Sequence, residues 1–465
     1  FSSLGESATN NQTKAACDNF GYIGSVRLDS DIMPYFTWGA SYGRTVSFDR
    51  VYKGMIPSLS NSLSNYIAAN VANGFTADEL NGTNMDGNGQ VSSFNPYYES
   101  DAPWLGVLGY ASFMVDPTQP GAMTYDGLFQ NGSFGDASIN VRERGYVDEY
   151  NISFGGNFVN TVYWGLSFGI TDMNFTRESY YDEQIGNARI MLDDGQRVDG
   201  GSYNGLSNYF NVNGSGFNCK FGLIFKPVNE FRLGFAIHTP TWYNLTYNVA
   251  AAADYANWIG DAEDPFRTNI DGYRIPNEDF DTNPNLEVSG YYDRKMRTPW
   301  RMIVSAAGVI GGRGILSMDY EYEAYKDMRV SDNYGQFDDV TMDVKNYYRP
   351  TNTIRVGAEF RVTPQFSLRA GYSYKSSPAQ ESAYNNQQYI YTAGTNPMYM
   401  FDNSIQYVTC GLGYSTGGFS IDAAYVHKHR ESSWSAFSSY DGLASPSGTI
   451  TDNNNHIVLS VGYKF

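Results

Sequence analysis

The stretch from His456 to Phe465 constrains this chain more than any other. One parity class, Ile457, Leu459, Val461, Tyr463 and Phe465, is wholly apolar. The other, His456, Val458, Ser460, Gly462 and Lys464, is small or polar apart from Val458. A period of two marks a strand with a different solvent on each face. About ten residues at strand rise, tilted, cross a hydrocarbon core. A chain ending on such a strand with an aromatic residue is expected to close a membrane β-barrel there.

The alternation recurs upstream. Ile152, Phe154, Gly156 and Phe158 oppose Asn151, Ser153, Gly155 and Asn157. Phe217, Cys219, Phe221, Leu223 and Phe225 oppose Asn218, Lys220 and Gly222, and Leu316, Met318, Tyr320 and Tyr322 oppose Ser317, Asp319, Glu321 and Glu323. Charges keep to one class because an Arg or Lys facing lipid at mid-bilayer costs roughly 2–4 kcal/mol. With weaker strands near 1–6, 19–29, 297–310, 405–415 and 419–428, the pattern predicts an all-β fold. It would be a transmembrane antiparallel β-barrel of about 14 strands, an even number as bacterial barrels favour. Tight turns at Lys226–Glu230, Gly311–Gly314, Thr363–Gln365 and Thr416–Gly418 alternate with long polar links. That asymmetry fits periplasmic turns and extracellular loops.

Composition agrees. With a mean hydropathy of −0.42, no run approaches the ~18–20 apolar residues of a membrane helix, but a barrel escapes that test since half of each strand faces the lumen. The 39 Tyr, 28 Phe and 7 Trp suit interfacial girdles. A net charge of −18 argues against a nucleic-acid partner. The acids gather in apparent loops such as Asp193-Asp194 and Asp338-Asp339, read as solvated surface. Three cysteines, Cys17, Cys219 and Cys410, imply no disulfide framework.

The whole chain, 1–465, reads as a single barrel domain with one long extracellular insertion at 51–148, too long for a plain loop. Within it Ser58 to Val71 reads as a helix started by Pro57 and Ser58, and Asp101 to Val115 as a short apolar helix with an Asp cap. Apolar side chains on such a segment need a hydrophobic neighbour: the barrel mouth, the lipid or a greasy ligand.

The segments Phe231 to Pro240 (FRLGFAIHTP) with Thr241-Trp242-Tyr243, then Thr298-Pro299-Trp300, Ile354 to Glu359 (IRVGAE) and Leu368 to Tyr372 (LRAGY) resemble, in order and spacing, the FadL-type family of hydrophobic-compound transporters. That family includes the TodX-like proteins, and the likeness is strongest to Bacteroidetes versions. It implies a 14-stranded barrel in the bacterial outer membrane and passive uptake of hydrophobic small molecules such as long-chain fatty acids. It also implies exit through a lateral opening at a kink in an early strand. The family's N-terminal hatch, with its Asn-Pro-Ala motif, is not seen. The Asn-Pro pairs Asn95-Pro96, Asn283-Pro284 and Asn396-Pro397 lie mid-chain and none precedes Ala.

The expected ligand pocket comprises Leu59, Leu63, Ile67, Trp104, Leu105, Leu108, Phe113 and Met114, binding by apolar burial at roughly 25 cal/mol per Å². Gly155, Gly156, Gly165 and Gly169 are the lateral-opening candidates, because Gly weakens strands and marks bulges. No catalytic residue, cofactor or metal site is expected. The four histidines, His238, His427, His429 and His456, show no recognisable triad pattern. Asn84 to Gly89 only echoes the start of a calcium loop. Asp319, Glu321 and Glu323 are expected to neutralise lumenal arginines: Arg232, Arg301, Arg355, Arg361 and Arg369. The expected partners are a hydrophobic small molecule and outer-membrane lipid, with the chain a monomer. A polar-solute porin, and a secretion-associated or surface scaffold holding a protein partner on its extracellular loops, stay open as alternatives.

Overall fold

The computed structural model describes the chain except for residues 1, 4–5, 10, 12, 86–89, 193–194, 260–268, 271–272, 275–283, 337–338, 385–388 and 441. Asp193-Asp194, Asp338 and most of the calcium-loop echo fall outside the described residues.

The alternating segments form one antiparallel wall. Its strands are β1 (Asn19–Arg27), β2 (Tyr35–Ser47), β3 (Arg50–Ile56), β4 (Phe134–Phe158), β5 (Val162–Met191), β6 (Arg197–Val228), β7 (Phe231–His238) and β8 (Trp242–Ile259). They continue with β9 (Glu287–Arg297), β10 (Arg301–Ile310), β11 (Gly314–Glu323), β12 (Thr351–Arg361), β13 (Phe366–Ser376), β14 (Tyr399–Thr416), β15 (Phe419–Ser435) and β16 (Ser447–Tyr463). Each stave pairs with the next in sequence. β2 and β3 pair end to end with β4, as do β7 and β8 with β6, and β9 and β10 continue one another beside them.

Those last two breaks explain the resemblance motifs. Pro240 and Pro299 cannot donate to a ladder, so both strands stop at one level. Thr298 repairs the gap: its Oγ1 accepts from the Thr241 backbone N–H at 2.8 Å, and its own N–H donates to the Thr241 carbonyl at 3.1 Å.

Counted this way, thirteen staves are present among the described residues, against the expected 14 or so. The strand expected near 1–6 is only the two-residue pair Ser2–Ser3 and Glu6–Ser7, whose Ser2 meets Thr449 of β16. No ladder among the described residues joins β1 to β16. Arg50 of β3 instead reaches Asp452 of β16 at 2.7 Å, and the Tyr22 and Phe465 rings lie 6.4 Å apart.

The exposed face carries a continuous apolar band: Ile152 and Phe154 on β4, Phe168 and Ile170 on β5, Phe217 and Phe221 on β6, Leu316 and Met318 on β11, Leu412 on β14, Leu459 on β16. The inward face at that level is ionic. Glu321, 2% exposed, binds Arg301 at 2.8 Å and Arg355 at 2.9 Å, and Glu323 takes Arg301 at 2.8 Å and Lys375. Arg369 bridges Glu359 and Asp422, and Lys220 meets Glu149. No ion pair of Arg232 or Arg361 is seen among the described residues. Of the five arginines expected to be neutralised by Asp319, Glu321 and Glu323, Arg301 and Arg355 are, through Glu321 and Glu323, with Lys375 added; Arg369 pairs elsewhere, and no ion pair of Asp319 is seen among the described residues.

β4, β5 and β6 run for 25, 30 and 32 residues, far more than a bilayer needs. Beyond the band their alternation inverts. On β4 the apolar class is Tyr150, Ile152 and Phe154 low down, facing out, but Ala137, Ile139 and Val141 higher up, facing in. β5 and β6 do the same, with inward Tyr181, Ile185 and Leu206. What lies against the inner face there is the insertion. Because β3 and the start of β4 belong to the wall, it shrinks from 51–148 to 57–133.

Its first helix begins later than expected. Ser58 sits at φ 60, and the helix runs Leu63–Tyr66 with Ser62 as the cap, continuing as a π-helical turn Ile67–Val71. The second is Trp104–Ala111, with Pro103 rather than Asp101 at its cap position. Sequence reading, which gave two helices here, missed a third, Ala77–Asn81, although Thr76 and Glu79 supply the signal of a reciprocal capping box.

Candidate ligand-binding site

The eight residues expected to bind ligand come together. Leu59, Leu63, Ile67, Leu105, Leu108 and Met114 are buried in one apolar cluster, with Trp104 and Phe113 half-buried against it. Gly109 lets the two helices meet: a Cβ there would stand 2.8 Å from Ile67 Cγ2. The cluster continues into the inner face of the wall on many sides, through Val141 of β4, Tyr181 of β5, Leu206 of β6, Ala253 of β8, Val288 of β9, Trp434 of β15 and Ile450 of β16. The insertion is thus a stopper within the long-strand end of the wall, with its apolar residues packed against one another and against the wall.

Polar contacts fasten it. The Glu183 carboxylate on β5 accepts from Ser62 Oγ at 2.5 Å, from the Leu63 backbone N–H at 2.9 Å and from the Tyr181 hydroxyl at 2.7 Å. The Leu63 N–H is one of the donors a helix N-terminus leaves unmet. On the far side Tyr440 donates to Asn61 Oδ1 at 2.7 Å.

A second hairpin of the insertion carries a titratable group. Asp116 pairs directly across from Asp126, which binds Arg197 and, at 3.1 Å, Arg189. Burial pushes the Asp116 carboxyl up to about 7; Arg197 pulls it down and Asp126 pushes it further up. The folded chain therefore holds this proton more tightly than the unfolded chain does. The stability it contributes is complete below about pH 4 and is lost as pH rises through about 7. Asp116→Asn should abolish that slope and raise stability at pH 8 by on the order of 2 kcal/mol, with its partial exposure allowed for. Denaturant unfolding at pH 5 and pH 8 checks it; parallel slopes for both proteins would refute it.

The four glycines lie in unbroken ladder. Gly155 faces Gly165, Gly156 faces Trp164, and Gly169 faces Asn151. Packing accounts for two of them. A Cβ on Gly156 would meet Trp164 Nε1 at 2.9 Å, and one on Gly169 would meet Glu149 Oε1 at 2.7 Å.

The irregularity lies higher. β2 stops at Ser47 opposite Tyr146, the β2–β4 register shifts between Val147 and Asp148, and Gly145 takes φ 128. Beside it on the inner face is a second apolar cluster of Val212, Tyr243 and Leu245 with Met173, Phe175 and Met296, and Phe48 meets Phe175 edge to face at 4.9 Å between centroids. Sequence reading missed this patch. Its residues share a face across four strands, and no run along the chain signals it.

Among the described residues no three His, Cys, Asp or Glu are disposed to hold a metal ion. His427 and His429 face outward above the apolar band and bond Asn455 and Asn453.

Taken together, these features define a wall greasy outside and ionic within, stoppered at its long-strand end. Solved structures similar to this chain include a Pseudomonas aeruginosa FadL homologue, at 14% identity and TM-score 0.40, with 73% of this chain and 77% of that one covered. The Ralstonia pickettii toluene transporter TbuX is similar at 14% identity and TM-score 0.37, covering 92% and 78%. The P. putida toluene transporter TodX is similar at 13% and 0.38, covering 73% and 81%. No family model and no curated relative matches the sequence.

Proposed function

We propose that the chain is a monomeric outer-membrane barrel that takes up hydrophobic small molecules, long-chain fatty acids or compounds of similar character, by passive diffusion. One observation carries this reading: the apolar band on the outer face, continuous across the staves, is covered by no other part of the described chain. A water-soluble monomer does not expose apolar surface on that scale, and inward ion pairs at the same level make the lumen a poor path for a nonpolar solute.

In this reading the long-strand end is extracellular and the wall closes at the β1–β16 seam. The stopper cluster is the capture site in its closed, self-packed form, with half-buried Trp104 and Phe113 as the points of entry. From there the solute passes to the patch at Phe175, Val212 and Tyr243. It leaves sideways where the wall parts, between the Gly145 kink and the Gly155–Gly156 and Gly165–Gly169 stretch below it.

A brominated long-chain fatty acid should quench the fluorescence of the purified chain. Trp104→Phe should remove much of the quenching, and Leu108→Asp should weaken binding about tenfold or more. Absence of quenching, together with detergent as the only organic molecule found by mass spectrometry after gentle extraction, would sink the proposal. The ionic lumen favours a second reading, a polar-solute channel; a large salt-dependent conductance in planar bilayers without any quenching would support that instead.

A further inference from the structure

The outward face beyond the apolar band carries a groove unrelated to the stopper. It crosses β4, β5, β6 and β8 at one level and encloses about 450 Å³, within the range of small-ligand pockets. Its floor is small: Ser207, Ala250 and Ala252. Tyr180 and Tyr209 stand beside that floor, and Asn140, Arg142 and Glu287 rim it. The ladder places these groups in register, Asn140 facing Tyr180, Tyr180 facing Ser207, and Ser207 facing Ala252.

We propose that this groove binds an oligosaccharide. A sugar ring presents C–H faces that pack on aromatic rings and small apolar floors, and a rim of hydroxyls that both donate and accept. The groove offers both halves. Tyr209 is 40% exposed, and the polar ends of Asn140, Arg142, Tyr209 and Glu287 meet no hydrogen-bond partner among the described residues. Their donors and acceptors are free for a ligand to use.

Tyr180 is already set. Its hydroxyl lies 2.6 Å from that of Tyr203 and donates to Asp254 at 3.0 Å, so this ring need not be ordered on binding. Charge is close to balanced, since Arg142 at the β4 end is offset by Glu287 at the β9 end, and Glu178, directly across from Arg142, is paired with Arg144. A strongly charged ligand gains little there, and a purely apolar one would strand the polar rim.

The sugar could be the saccharide portion of a membrane glycolipid or a free oligosaccharide, and the test separates the two. The full chain in detergent is applied to an array of immobilised oligosaccharides, and in parallel to lipopolysaccharide-derived saccharide cleaved from its lipid. Binding to at least one arm is expected with a Kd of about 1 mM or tighter. Binding only to the lipopolysaccharide saccharide assigns the glycolipid source, and binding only on the array assigns a free sugar.

Tyr209→Ala and Arg142→Ala should each weaken binding about tenfold, and Tyr334→Ala, at a fully exposed position away from the groove, should not. No binding in either arm, or binding indifferent to both groove variants, overturns the proposal. The proposal rests on the membrane reading only for which end of the wall faces outside. Loss of sugar binding with fatty-acid quenching intact separates a failure here from a failure there.

Discussion

Glu183→Ala should loosen the stopper from the wall and cost roughly 3–5 kcal/mol of local stability. The carboxylate is 1% exposed and serves three donors at once. Its removal strands a serine hydroxyl, a backbone N–H at a helix start and a tyrosine hydroxyl in a site with little water. Ser62 Oγ also accepts from the Ser64 backbone N–H at 3.1 Å, so its orientation depends on where the carboxylate sits. Glu183→Gln keeps the acceptor oxygen but sets an N–H₂ among donors, and should cost less than Ala but more than 1 kcal/mol, about. The expected result is faster amide exchange across Leu63–Val71 and larger conductance in planar bilayers, while exchange across β12 and β13 is unchanged. If the Leu63–Val71 amides stay as protected as in the unaltered chain, Glu183 is not what holds the stopper.

The part of this arrangement that was legible from the sequence is the part where two solvents meet the strand on fixed sides. Phe217 to Phe225 and Leu316 to Tyr322 follow the expected alternation, because an apolar outer face and an ionic inner face force a strict period of two. The reading failed at the upper end of the same strands. There the apolar stopper lies inside and the outer face is more polar, so the period persists with its phase reversed. Ile139 and Val141 occupy the class that Asn151 and Ser153 occupy lower down. A phase change with no turn between looks like the end of one element. That is why residues 134–148 were assigned to the insertion and not to β4.

Helix starts were misplaced for a related reason. Ser58 and Asp101 are plausible caps locally, but the donors at Leu63 are met by Glu183, 120 positions away, which no local signature reports. The buried residues of the stopper were legible as apolar positions within the insertion. The patch around Val212 and Tyr243 was not, because it exists only once four strands are side by side.

Gly145→Val should abolish the kink and, with it, uptake. At φ 128 the residue occupies backbone space that L side chains rarely enter, and a Cβ there would lie 2.1 Å from the Asn174 carbonyl oxygen on β5. Backbone cannot yield as a flexible side chain would. The strand must therefore straighten or the β4–β5 ladder must part, at a cost of about 3 kcal/mol or more. Straightening would carry Tyr146 and Asp148 with it. Asp148 is held by Arg44 at 2.8 Å and by the Tyr42 hydroxyl at 3.0 Å, so the shift would propagate into β2. The band below, from Tyr150 to Phe158, should still insert, since its ladder to β5 is regular without the kink. Fatty-acid quenching of Trp104 should survive, because the stopper is untouched, while transfer of the bound molecule into vesicle lipid should fall about tenfold or more. Gly155→Val separates the two exit points. It tests the lower stretch, where a Cβ would approach Thr37 Oγ1 and the Trp164 carbonyl at 3.0 Å. Transfer lost in Gly155→Val but normal in Gly145→Val would place the opening within the apolar band and rule out the kink as the gate.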